Sequence, residues 1–147
     1  MVQRVWLATA PVLLSLAILV AWWSPRGAAL AVRAECPTRV QVGEEALLRI
    51  LIGNPHRQPV RLDDIDVAQS FADGVQVLSV TPPPRASQRH RALDVVSLSY
   101  DEPLVPGELR EWMVRLRAVK PGRFQGELAV YSATNVTSRW LDLTVMR

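Results

Sequence analysis

After Thr38 the chain is divided into short apolar runs by turn-forming residues at nearly even spacing. The dipeptides Asp73-Gly74, Pro106-Gly107 and Pro121-Gly122 supply the backbone dihedral angles that tight turns need. Apolar periodicity of the helical kind is absent after residue 37, and short Val-, Leu- and Ile-rich runs between turns are typical of an all-β sandwich or barrel. The pattern predicts seven to eight strands, at residues 39–42, 46–52, 60–67, 75–81, 93–100, 109–119, 124–131 and 138–146.

About 110 residues with this many strands match one antiparallel immunoglobulin-like (Ig-like) sandwich. Cys36 is the single cysteine, so a core of this size has to be held by packing and not by a disulfide. Strand alternation places Trp112 on an apolar face, as the core aromatic residue. It places Trp140 beside Asp142, where an exposed indole could serve as a contact anchor for a partner protein or a sugar, or could instead pack beneath the tether.

Turn motifs recur at the borders of these predicted strands. Val42-Gly43-Glu44 precedes one strand, Pro106-Gly107-Glu108 precedes another, and Pro121-Gly122-Arg123-Phe124 leads into a third, while Asn54 follows the apolar run at residues 48–52. This succession resembles bacterial and archaeal Ig-like envelope domains of the cell-adhesion-related and conserved-repeat surface type. The resemblance covers residues 38–145. It implies the fold and, through the usual role of that family, adhesion; such domains commonly occur in tandem or appended to larger proteins.

Residues 5–23, from Val5 to Trp23, form an uncharged run of nineteen. A helix of that length reaches ~28 Å, close to the ~30 Å hydrocarbon thickness of a bilayer. Two interpretations remain open: a retained single-span anchor, or a secretory signal cleaved after Ala31 or Ala34. The predicted organisation is therefore an anchor or signal at residues 1–23, a tether at residues 24–37, and the Ig-like domain at residues 38–147.

The net charge of +3 belongs to the first 34 residues, because the remainder carries equal numbers of acidic and basic side chains. A neutral domain gives no support to a nucleic-acid partner. Arg26 and Arg33 follow the apolar run, and the positive-inside rule would then place the domain in the cytoplasm. The short N-terminus and the type of domain favour the opposite side. We expect a single-pass protein of the cytoplasmic membrane with an extracytoplasmic domain.

One local basic patch lies in the polar segment at residues 85–91, which the sequence predicts as the longest flexible connection. Its arginines, Arg85, Arg89 and Arg91, could contact anionic lipid headgroups or an acidic envelope polymer, or could simply keep a loop soluble. Together with Trp140 they are the candidate partner contacts.

Residue types with metal-binding or catalytic potential are scattered. Asp63, Asp64 and Asp66 lack the spacing of a calcium loop and are expected to protect a strand edge. His56 and His90 are predicted in loops without further ligands at metal-site spacing. Cys36 lies in the predicted tether, where it could form an intermolecular disulfide or stay unpaired. We expect no enzyme, no metal site and no cofactor.

The sequence thus predicts a membrane-anchored interaction or structural module with a protein partner. The abundance of arginine over lysine suggests a GC-rich bacterial genome. Two alternatives remain: a secreted domain that binds envelope polysaccharide, and an accessory subunit of a membrane protein complex.

Overall fold

The computed structural model describes residues 29–133 and 135–147. These residues form ten strands in two packed sheets and one four-residue helix, which confirms the all-β class but exceeds the seven to eight strands expected. The elements are β1 (Ala31–Glu35), β2 (Arg39–Gln41), β3 (Glu45–Gly53), β4 (Val60–Ala68), α1 (Gln69–Ala72), β5 (Val75–Thr81), β6 (Ala86–His90), β7 (Val95–Leu104), β8 (Leu109–Ala118), β9 (Gly122–Ser132) and β10 (Asn135–Met146).

The four-stranded sheet has the order β1-β3-β8-β5, and the six-stranded sheet has the order β2-β10-β9-β4-β7-β6. The prediction of an antiparallel sandwich is wrong for β2, which runs parallel to β10 with Val40 opposite Val145. The chain crosses from one sheet to the other here, and β2 joins the edge of β10. The Thr144 amide donates to the carbonyl of Thr38 at 2.9 Å, and the Val42 amide donates to the carbonyl of Met146 at 2.9 Å. This pairing satisfies backbone groups of the last strand.

Strand β1 occupies part of the segment predicted as a tether. Ala31 lies opposite Gly53 and Glu35 opposite Arg49, so β1 forms an edge of the four-stranded sheet. Leu30 and Val32 are 2% and 5% exposed and belong to the hydrophobic core. The domain therefore begins before residue 38. Small and charged residues in this segment conceal the strand, because its position depends on pairing with β3 and not on its own apolar pattern.

Strand β6 replaces the flexible connection predicted at residues 85–91. It pairs with β7, with Ala86 opposite Ser99 and His90 opposite Val95. Its polar sequence suits an edge strand, where charged side chains discourage pairing with other chains. Backbone hydrogen bonds to β7 hold it, and these leave no pattern in the sequence.

The core lies between the sheets and includes the predicted core residue Trp112, which is 0% exposed on β8. Tyr100 of β7 packs against it from the opposite sheet, with ring centroids 5.7 Å apart and an interplanar angle of 79°. This edge-to-face geometry is favourable for two aromatic rings. The guanidinium carbon of Arg110 lies 5.7 Å from the centroid of the indole ring. The two rings therefore join the two sheets across the core.

Tyr100 makes the stability of the fold sensitive to alkaline pH. Burial, followed by the negative charge of Glu102, raises the pKa of Tyr100 from 10.0 to about 12. The unfolded chain ionises first, so the free energy of unfolding should fall between pH about 10 and about 12, by on the order of 2–3 kcal/mol. Urea unfolding across this pH range measures the loss. A Tyr100→Phe variant should lose correspondingly less stability, and an unchanged pH slope in that variant would contradict the assignment.

Two of the predicted turns owe their form to a Gly-Glu pair. Gly43 and Gly107 have φ of 88° and 74°, in the left-handed region that glycine adopts readily. The carboxylate of Glu44 accepts a hydrogen bond from the Gln41 amide at 2.7 Å. The carboxylate of Glu108 likewise accepts one from the Val105 amide at 2.8 Å. Both turns are also bonded to other parts of the fold, since the Gly43 amide donates to the carbonyl of Ala118 at 2.8 Å and the Gly107 amide donates to the carbonyl of Asn54 at 2.9 Å.

Asn54, which follows β3, is buried and bonds to the end of β7 and to the loop between β3 and β4. Its side-chain amide donates to the carbonyls of Gln58 at 2.8 Å and Leu104 at 3.0 Å. Its side-chain oxygen accepts from the His56 amide at 3.0 Å. Because the residue is 1% exposed, these bonds offset the cost of burying an amide.

Within the part of the chain that the structure describes, no helix has the length and apolar character to span a bilayer. The span predicted for residues 5–23 lies outside the described residues.

Candidate functional site

Trp140 projects from the outer face of the six-stranded sheet. Its β10 neighbours Leu141 and Leu143 point into the core, whereas the indole is 67% exposed and lies opposite Glu127 of β9. Alternation along the strand forces this outward placement. The strand pattern leaves two alternatives for Trp140, an exposed indole or one packed beneath the tether, and the structure shows the indole exposed.

Further apolar surface continues along the same face. Val136 of β10 is 54% exposed and lies opposite Tyr131 of β9, which is 37% exposed. Trp140 lies four positions after Val136 on β10, which gives a spacing of ~14 Å between Trp140 and the Val136–Tyr131 pair. We call the surface formed by Glu127, Tyr131, Val136 and Trp140 the Trp140 face. It combines two exposed aromatic rings with an aliphatic side chain and a carboxylate.

A row of carboxylates borders the Trp140 face on β4. Asp64 lies opposite Tyr131 and accepts a hydrogen bond from the Ser99 hydroxyl at 2.6 Å. Asp66 accepts one from the Ser97 hydroxyl. Burial, followed by the negative charges of Asp66, Glu127 and Asp64, raises the pKa of Tyr131. The Tyr131 hydroxyl therefore stays protonated and can donate a hydrogen bond at neutral pH.

The acidic cluster lies on β4, which pairs with β7 on one side and β9 on the other, so its expected role at a strand edge is wrong. Asp63 accepts a hydrogen bond from the Ala133 amide at 2.6 Å, so its carboxylate holds the turn between β9 and β10. Among residues 29–133 and 135–147 there is no group of three His, Cys, Asp or Glu side chains placed to hold a metal ion.

The three arginines predicted as partner contacts lie apart from Trp140. Strands β6 and β10 are separated by β7, β4 and β9, a distance of ~19 Å at the usual strand spacing. Arg85 forms an ion pair with Asp101 at 3.0 Å. Arg89 and Arg91 form no ion pair with any described carboxylate. The structure therefore splits the predicted contact set between two surfaces.

An apolar cleft, which we call the β5–β6 cleft, opens between the two sheets on the side of these arginines. It has a volume of about 460 Å³. Strands β5 and β6 are edge strands of different sheets here, and β5 carries a register shift between Val77 and Ser79. The side chains that line the cleft include Ile50, Val77, Val80, Val96, Leu98 and Leu116.

The opposite side of the sandwich is closed. There β1 packs against β10, and the Thr137 hydroxyl donates to the carbonyl of Leu30 at 2.8 Å. That one side of the sandwich is open and the other closed could not be inferred from the sequence, because it depends on which strands form the edges of the two sheets.

The two histidines and the single cysteine lie in separate parts of the fold. His56 lies in a loop, as predicted, with its Nε2 atom 2.7 Å from the carbonyl oxygen of Ala29. His90 lies on β6 and not in a loop. Cys36 is free and packs, half-buried, against the core. Cys36 therefore lies at the margin of the domain's core and not in a tether.

Cys36 should be a slow nucleophile. Burial raises the pKa of its thiol from 9.0 to about 11, which lowers the thiolate fraction at neutral pH. Alkylation by iodoacetamide at pH 8 should therefore be about 100-fold slower in the folded chain than in urea. Mass spectrometry of timed samples gives both rates. Equal rates in the two conditions would show that the thiol is solvated in the native protein.

No family model matches the chain, and no curated protein sequence matches it. Several solved structures share its fold. The CARDB domain of a Pyrococcus furiosus protein, solved in complex with di-metal ions, is 14% identical with a TM-score of 0.52, over 80% of this chain and 88% of that chain. The C-terminal domain of the Streptococcus agalactiae antigen I/II polypeptide BspA is 7% identical with a TM-score of 0.56, over 79% of this chain and 49% of that chain.

The C-terminal domain of the Streptococcus pyogenes antigen I/II-family protein AspA is also similar. It is 11% identical with a TM-score of 0.54, over 80% of this chain and 46% of that chain. This chain thus spans about half the length of the two streptococcal structures. Likeness at these identities shows a common β-sandwich fold.

Proposed function

We propose that this chain is a membrane-anchored, extracytoplasmic Ig-like module of a bacterial envelope that binds a protein partner and has no catalytic activity. The observation that carries the proposal is the Trp140 indole, which is 67% exposed on the outer face of the six-stranded sheet. Large aromatic side chains are the commonest anchors of protein interfaces, because each buries much apolar area at a small cost in side-chain entropy.

The surroundings of Trp140 support an interface. Tyr131 and Val136 extend the apolar surface, and the carboxylate of Glu127 with the Tyr131 hydroxyl offers hydrogen-bonding groups at its margin. An apolar centre with a polar rim is the usual composition of a protein interface. All four residues lie on β9 and β10, which are paired at eleven positions. The surface is therefore formed by paired strands and not by loops.

The comparisons support the module's setting. The two streptococcal structures are domains of antigen I/II proteins, and the archaeal one is a CARDB domain. A common fold alone assigns no partner, but an Ig-like surface module agrees with the turn motifs at Gly43 and Gly107.

Strand β1 supports a retained anchor over a cleaved signal. Cleavage after Ala34 would remove four of the five residues of β1, and cleavage after Ala31 would remove the buried Leu30. Either cut would damage an edge of the four-stranded sheet. N-terminal sequencing of the protein from cells tests this point: a start at Met1 or Val2 supports the anchor, and a start at Val32 or Glu35 contradicts it.

The extracytoplasmic orientation is tested by protease accessibility. Protease added to intact spheroplasts should digest the domain and leave a cytoplasmic control protein whole. Protection of the domain until the spheroplasts are lysed would place it in the cytoplasm, as the arginines after the apolar run favour.

A secreted polysaccharide-binding domain is the second candidate. The observation that favours it is the ~14 Å spacing of Trp140 and Tyr131 on one sheet face, beside the carboxylates of Asp64 and Asp66. Aromatic rings can stack on sugar rings, and carboxylates can accept hydrogen bonds from sugar hydroxyl groups. Sedimentation with purified cell-wall polysaccharide tests it: binding that Trp140→Ala abolishes supports this candidate, and no binding rejects it.

Complex size after gentle detergent extraction tests the proposed protein interaction. On native gels the wild-type chain should migrate as a complex larger than its 16.4 kDa monomer. Trp140→Ala should shift it towards the monomer, whereas Leu47→Ala, on the outer face of the other sheet, should leave the complex intact. A monomeric wild type, or a complex that resists Trp140→Ala, would contradict the proposal. A complex held by the membrane segment, as in an accessory subunit, would give that second result.

A further inference from the structure

We propose that the β5–β6 cleft binds one long-chain fatty acid anion, with its acyl chain between the two sheets and its carboxylate at Arg89 of β6 and at Arg91, which follows that strand. This site is separate from the Trp140 face, which is on the outer side of the six-stranded sheet, so the inference does not depend on the proposed function.

The cleft has the size and lining that an acyl chain requires. Its volume of about 460 Å³ falls within the ~300–1,000 Å³ range of small-molecule sites. Val77 and Val80 of β5 line one wall, and Val96 and Leu98 of β7 line the other. Phe71 of α1 is the single aromatic residue among the lining side chains. Aliphatic walls with one aromatic ring suit a chain of methylene groups better than a planar ring system.

Solvent exposure of this apolar lining is unusual for a core between sheets. Val77 is 52% exposed although its partner across the strand pair, Leu116, is 2% exposed. An apolar ligand that covers the opening would remove this surface from water, and each buried methylene group would strengthen binding about fourfold.

Strand register places the positive charge of Arg89 on the cleft side of β6. Ser87 lies opposite Leu98 and Arg89 lies opposite Val96, and both of these β7 residues line the cleft. Directly opposed residues of an antiparallel pair share a face, so the Arg89 side chain lies on the cleft side of β6. Arg89 has no carboxylate partner among the described residues. Arg91, which follows the strand, has none there either. An anionic headgroup would supply the missing counter-charge.

The test uses the full chain in nanodiscs of phosphatidylcholine and a palmitic acid that carries a diazirine near the end of its acyl chain. After irradiation, peptide mass spectrometry should find the label on β5 or β7, at or near Val77, Val80 or Val96. The neutral methyl ester of the same probe should label these strands at least about twofold less, since it lacks the charge that the guanidinium attracts. Label confined to residues 5–23 would overturn the proposal, because it would reflect partition into the bilayer.

Matched variants separate the site from general apolar labelling. Arg89→Gln should lower cleft labelling about two- to fivefold, whereas Arg139→Gln, an exposed arginine on β10, should not change it. Val77→Trp should lower it about tenfold or more, because the indole takes up space in the cleft, and Leu47→Trp should not.

Circular dichroism checks that each variant is folded, and Arg89→Gln tests the proposal even if Val77→Trp fails to fold. Cleft labelling that is insensitive to Arg89→Gln, or that is equally strong with the methyl ester, would overturn the assignment of an anion. Labelling by a diazirine phosphatidylglycerol and not by the fatty acid would overturn the assignment of a free fatty acid.

Discussion

Trp112→Ala should destabilise the fold by about 3–5 kcal/mol, because it removes a fully buried indole and leaves a cavity between the sheets. Trp112 is 0% exposed, and it forms the edge-to-face contact with Tyr100 that joins β8 to β7. A loss of this size is a large part of the ~5–15 kcal/mol by which a domain is usually stable. Urea unfolding of the full chain, followed by circular dichroism, measures the change.

Met113→Ala is the matched control for that experiment. Met113 is the next residue of β8, points outward and is 39% exposed, so its truncation should change the free energy of unfolding by less than about 1 kcal/mol. Similar losses for the two variants would mean that Trp112 is not at the centre of the core.

Trp140→Ala should weaken partner binding by about 2 kcal/mol or more, a factor of ~30 in affinity. Truncation of a central aromatic anchor has this effect because the rest of an interface contributes little by itself. The same change should barely alter stability, since the indole is 67% exposed. Binding and stability are therefore expected to separate at Trp140 and to fall together at Trp112.

Tyr131→Phe is the companion variant on the same face. It keeps the ring and removes the hydroxyl whose pKa is raised by burial and by the neighbouring carboxylates. A loss of affinity smaller than that of Trp140→Ala is expected, about threefold to tenfold, because one hydrogen bond is lost. A larger loss at Tyr131 than at Trp140 would move the centre of the interface to β9.

Strands with strong alternation could be predicted from the sequence, and strands without it could not. In β8 the buried Trp112, Val114 and Leu116 alternate with exposed side chains, and this period of two is visible in the sequence. The polar β6 has no apolar period, since the strand exists through backbone pairing to β7. Strand β1 could not be predicted for the same reason, since it depends on pairing with β3, which comes later in the chain.

Single exposed residues of the candidate surfaces could also be predicted, but their grouping could not. The alternation of β10 was enough to place Trp140 outside the core. Tyr131 joins it through the pairing of β9 with β10, and Arg85 is tied to Asp101 by a contact that depends on the pairing of β6 with β7. The β5–β6 cleft depends on strand order in both sheets, which residue pattern alone does not determine.

Site-specific photo-crosslinking in cells tests whether a partner protein binds at the Trp140 face. The full chain would carry p-benzoylphenylalanine at position 136 in one variant, where exposed Val136 lies on the Trp140 face and the indole is kept, and at position 47 in another, since Leu47 is an exposed residue on the outer face of the other sheet. A discrete protease-sensitive adduct is expected at position 136 and is expected to be absent at position 47. Adducts of equal yield at both positions, or an adduct at position 47 alone, would contradict partner binding at the Trp140 face.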